Sequence, residues 1–92
     1  MRDEEQELKE QIKFGALGQQ VVNNAAYQSA MTTRKAHLFD VFSNTSQDQS
    51  DIREEAWRTM QNLKALEDYF ENILTSGKLS DEQLRQYEQF RN

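Results

Sequence analysis

His37 is the single histidine of the chain, and there is no cysteine. A nucleophilic triad would need His37 beside a serine and a carboxylate, yet no Gly-x-Ser-x-Gly elbow is present. Metal sites in helical bundles draw on Glu-x-x-His pairs from facing helices, and Asp40 near His37 does not make that pattern. His37 therefore reads as a partly exposed histidine near a helix end. Adjacent carboxylates occur at Glu54/Glu55, Glu67/Asp68 and Asp81/Glu82. Neighbours in a helix point in different directions, so none of these pairs forms an acid–base couple. Phosphate-cradling loops, calcium loops, His-Glu-x-x-His and dinucleotide fingerprints are all missing. The residues predict no enzyme, no cofactor and no metal site.

The basic dipeptide Arg34-Lys35, followed by His37, is the one strip that could touch a phosphate backbone. Residues 14–50 hold only two basic and two acidic side chains, and residues 51–92 hold six and nine. Little counterion release is available from such a balance, so nucleic acid is disfavoured as a partner. The whole chain has 11 Lys and Arg against 16 Asp and Glu, a net charge of −5. That falls short of the dense acidic face of a DNA mimic.

These side chains must be positioned by helices. The chain has 92 residues, no Pro and only 3 Gly. Its hydrophobic share is 36%, against about 45–50% in an average globular domain. A chain of this length buries about 60–65% of its unfolded surface. The lean apolar supply points to association with copies of itself or with another protein. No apolar run is long enough to span a bilayer, and the acidic start (Asp3, Glu4, Glu5, Glu7) is unlike a signal peptide.

The clearest helix is expected over about 50–76. Ile52, Ala56, Met60, Leu63, Leu66, Phe70, Ile73 and Leu74 recur at spacings of three and four along one side. Ser46 with Gln49, or Ser50 with Asp51, offers the start, and Gly77 a left-handed stop. A capping box at Ser80/Gln83 with a Leu79–Leu84 staple then predicts a short third helix through Phe90. Before these, one helix from about Asp3 to Phe42 is expected, about 60 Å long. Gly15 and Gly18 are its candidate kinks, with Thr32-Thr33 a further weak point. Residues 43–49 lack apolar side chains and read as the connecting loop, and residues 1–12 read as loosely ordered. The expected architecture is all-α: one domain over 1–92, an antiparallel helical hairpin with a short third helix, assembling as an oligomeric bundle.

Side-chain size differs between the two helices. Gly15, Ala16, Gly18, Ala25, Ala26 and Ala30 face a helix bearing Trp57, Met60, Phe70 and Ile73, so small meets large. An intramolecular core is the favoured reading, with a subunit contact through Gly15-x-x-Gly18 as the alternative. Trp57, Met60, Leu63, Phe70 and Ile73 are the candidate packing and interface residues, with Trp57 expected inside the subunit. The remaining aromatics exceed what one seam between two helices can cover.

The run Ile52-Arg53-Glu54-Glu55-Ala56-Trp57-Arg58-Thr59-Met60, continuing through Leu63, Leu66 and Ile73 to Gly77-Lys78-Leu79, resembles a segment of small uncharacterised helical proteins encoded by tailed bacteriophages. That resemblance implies a viral setting, in the virion or the host cytoplasm, and a place in particle structure or assembly. The expected function is a self-associating, non-enzymatic assembly component. Two alternatives stand beside it: a phage regulator that binds and inhibits a host protein, and a small DNA-packaging subunit with salt-dependent DNA binding.

Overall fold

The computed structural model describes residues 3–91, which form three helices and no strand. The fold is all-α. Helix α1 spans Glu4–Val22, α2 spans Ala25–Asn44 and α3 spans Ser50–Arg91. Met1, Arg2 and Asn92 lie outside the described residues.

Each helix start is built from local chemistry. Asp3 caps α1, its carboxylate accepting from the Glu5 N–H at 3.0 Å, and Glu4, Glu5 and Glu7 place negative charge in the first turn. Residues 4–12, expected to be loose, thus belong to a capped helix. The break in the first half falls at Asn23–Asn24, not at Gly15, Gly18 or Thr32-Thr33. Asn23 closes α1, donating its N–H to the Gln19 carbonyl at 2.9 Å. Asn24 leaves the helical region (φ −70°, ψ 126°) and accepts from the Tyr27 N–H, which starts α2. At the end of α2, the Asn44 amide donates to the Asp40 carbonyl and the Thr45 hydroxyl to the Phe42 carbonyl. Two terminal carbonyls are thereby satisfied.

The connecting loop is shorter than expected and tightly organised. The Ser46 N–H donates to the Gln49 side chain at 2.9 Å, and the Gln49 N–H donates to the Ser46 carbonyl at 3.1 Å. That turn delivers the chain to α3 at Ser50, so Ser46 and Gln49 order the approach and Ser50 opens the helix. From one turn inside α3, the Arg53 guanidinium reaches back to the Ser46 carbonyl.

Helix α3 then continues through Gly77 and Ser80 to Arg91, so the expected stop and short third helix are absent. No glycine in the described residues has positive φ. Gly77 is a point of close helix approach, and Ser80 is a buried interior position, only 2% exposed. The local capping signal at Ser80 yields to the packing that α3 gains by continuing.

The chain packs as two compact units. The first comprises Met1–Asn23 with Tyr69–Asn92. In it, α1 runs antiparallel to the carboxyl-terminal half of α3: Gln11 meets Ser80, Gly15 meets Gly77 and Gly18 meets Ile73. The second comprises Asn24–Asp68. In it, Leu38 and Ala56 are the buried apolar residues, and Lys35 bridges to Glu67 at 2.8 Å.

Candidate interaction surface

The polar residues singled out for chemistry are spread apart or already engaged. His37 is exposed on α2. With Arg34, Leu38, Val41 and Ala56 it borders a shallow groove in the second unit. No group of His, Cys, Asp and Glu able to hold a metal ion occurs among the described residues. In each carboxylate doublet one member makes an ion pair: Glu54 with Arg58 at 2.8 Å, Glu67 with Lys35 at 2.8 Å, and Asp81 with Arg85 at 3.0 Å. The Arg34-Lys35 strip is not a free basic patch, because Glu67 neutralises Lys35 on the facing helix. The Asp48 carboxyl is clearly displaced from its ordinary titration. The Ser46 hydroxyl, the Asp48 backbone and the Arg53 charge hold its carboxyl below the ordinary aspartate value of 3.8.

The five candidate packing residues divide between the units. Met60 and Leu63 are half-buried in the second, and Phe70 and Ile73 are half-buried in the first. Trp57 does not fill an intramolecular pocket. It is 55% exposed, because Ala56 occupies the buried position at that level of α3 and turns its neighbour outward. The small-meets-large expectation holds in part: Gly18 lies beneath Ile73 and Phe70, while Gly15 faces Gly77 and the Ile73 carbonyl, backbone against backbone. Both glycines are thus used within the chain. Ala25, Ala26 and Ala30 remain exposed on α2.

What the chain presents is apolar surface. Leu8, Leu38 and Ala56 are the buried hydrophobic residues among those described. Phe14, Leu17, Val21 and Tyr69 stand exposed on the first unit, and Phe39, Ile52 and Trp57 on the second. On α1 two rows separate. Leu8, Gly15, Gly18 and Val22 turn toward α3, whereas Phe14, Leu17 and Val21, spaced by three and four, form a second stripe beside it. Their separate spacings, seven from Leu8 to Gly15 and seven from Phe14 to Val21, were the signal available in the sequence. The outer stripe meets α3 at an open groove lined by Glu7, Glu10, Gln11, Phe14, Ile73 and Ser76.

No described helix is long and apolar enough to cross a membrane. Compared with known proteins, the chain matches no family model, no curated protein and no solved structure.

Proposed function

We propose that this protein is a non-enzymatic helical assembly component that works by associating with copies of itself. The observation that carries this reading is the exposure of its large apolar side chains. Phe14, Leu17, Phe39, Trp57 and Tyr69 are each about half exposed or more, while the buried apolar residues among those described are Leu8, Leu38 and Ala56. Large apolar side chains left exposed on both units are what a protein-binding surface presents. The phage setting rests on the resemblance carried by Ile52 to Leu79 in α3.

Sedimentation equilibrium over a hundredfold range of concentration tests the reading. The expected mass is a fixed multiple of 10.9 kDa at the higher concentrations. A monomer throughout would overturn self-association and favour a chain whose apolar surface awaits a foreign protein.

A further inference from the structure

We propose that residues 77–83 of α3 form a two-state element whose shape reports whether α1 is docked. With α1 in place the segment is uninterrupted helix. With α1 withdrawn, α3 stops at Gly77 and restarts at Ser80, so the helix bends there. The device needs no second copy of the chain and stands apart from self-association.

The local chemistry of these seven residues asks for a break. Glycine is the poorest helix former after proline and the usual residue for closing a helix, and Gly77 holds that place. Ser80 and Gln83 have the spacing of a capping box, and Leu79 and Leu84 that of the staple that accompanies it. Left to its own backbone, the stretch favours a stop followed by a new start. It is nevertheless helical throughout, with no positive φ at Gly77. Leu79, which the staple would cover, stands 54% exposed.

What holds the continuous form is α1. A Cβ on Gly77 would stand 3.2 Å from the Gly15 Cα and 3.4 Å from the Gln11 carbonyl oxygen, so α1 crosses α3 directly over the stop residue. One turn on, Ser80 is 2% exposed and donates its hydroxyl to the Gln11 side chain. Gln11 thus engages both ends of the segment, with its backbone over Gly77 and its side chain on Ser80. Withdrawing α1 opens the crossing and returns the Ser80 hydroxyl to its own backbone. The Ser80 oxygen then accepts from the Gln83 N–H, and Leu79 closes on Leu84. Docking of α1 and the shape of α3 become one equilibrium, and a partner that draws α1 away bends α3.

The two forms differ at three amides. In the continuous helix the N–H groups of Asp81, Glu82 and Gln83 bond to the carbonyls of Gly77, Lys78 and Leu79. In the broken form Asp81 and Glu82 lose those partners, while Gln83 exchanges its carbonyl for the Ser80 hydroxyl. Native-state hydrogen exchange by NMR on the full chain, with each rate divided by its intrinsic value, separates them. Asp81 and Glu82 are expected to exchange about fivefold faster than Gln83, the ratio one cap supplies. Their rates should rise with urea at the slope shown by the amides of Gln11 and Gly15, because one opening exposes both. Gln11→Ala should speed exchange at Asp81 and Glu82 by about fivefold, and Ser80→Ala should abolish their difference from Gln83. Fraying from the carboxyl end gives the reverse order, with Gln83 fastest. That order, or equal protection at the three amides, overturns the proposal, as does a difference that survives Ser80→Ala. A folded Gln11→Ala with unchanged rates, or a urea slope unlike that of α1, overturns the link to α1. Where Gln11→Ala unfolds, the wild type and Ser80→Ala decide.

Discussion

A single methyl group probes the α1–α3 contact sharply, because its surroundings differ at neighbouring glycines. A Cβ on Gly15 would stand 3.1 Å from the Gly77 Cα and 3.2 Å from the Ile73 carbonyl oxygen. Both are backbone atoms of a helix and yield only if the helices part. On Gly18 the methyl would meet the Ile73 Cδ1 at 2.5 Å, the far end of a side chain that can rotate. Alanine gains about 1 kcal/mol of helix propensity at either position, and overpacking costs about 1–3 kcal/mol where neighbours cannot move. Gly15→Ala should therefore destabilise by about 1 kcal/mol, and Gly18→Ala should be neutral or stabilising. Urea midpoints at one protein concentration decide it, and equal effects at the two sites would remove the backbone crossing from the account. The sequence marks these glycines as weak points in a helix, and the same lack of a side chain serves for close packing. Telling the two uses apart requires the partner helix, which local sequence does not name.

Element boundaries were legible where a side chain and its own backbone settle them. The Ser46–Gln49 turn and the start at Ser50 belong to that class. The Asn24 cap was equally local, but in a stretch without Pro it was overshadowed by the glycines. The Ser80/Gln83 signal failed for the opposite reason. Ser80 is turned inward and donates its hydroxyl to the Gln11 side chain, so long-range pairing claims the group that would have capped a helix. The α2–α3 loop yields a prediction at this scale. Asp48 has its folded pKa depressed by the Ser46 hydroxyl and by Arg53. A depressed carboxylate contributes stability that is fully present above its unfolded pKa and is lost as pH falls through the folded value. Asp48→Asn should remove that acid-range component, flattening the fall in urea midpoint from about pH 7 to about pH 3 relative to wild type. An identical fall in both proteins would detach Asp48 from the turn. Because the group is fully exposed, the effect is small and confined to acid conditions.

Stability and association become one quantity when folding leaves apolar surface that a second copy covers. A ligand that binds only the folded state raises its melting temperature by mass action, and here the ligand is the chain itself. For 92 residues the unfolding enthalpy near 60 °C is about 65 kcal/mol per chain, or about 130 kcal/mol per dimer. A tenfold rise in concentration then lifts the midpoint by about 4 °C for a two-chain unfolding equilibrium. A folded monomer shows no such dependence. The wild-type midpoint should climb by about 8 °C over a hundredfold range, read by circular dichroism at 222 nm in cells of different path length. A wild-type midpoint independent of concentration would mean that the exposed aromatics of this chain contribute nothing to its stability through self-association.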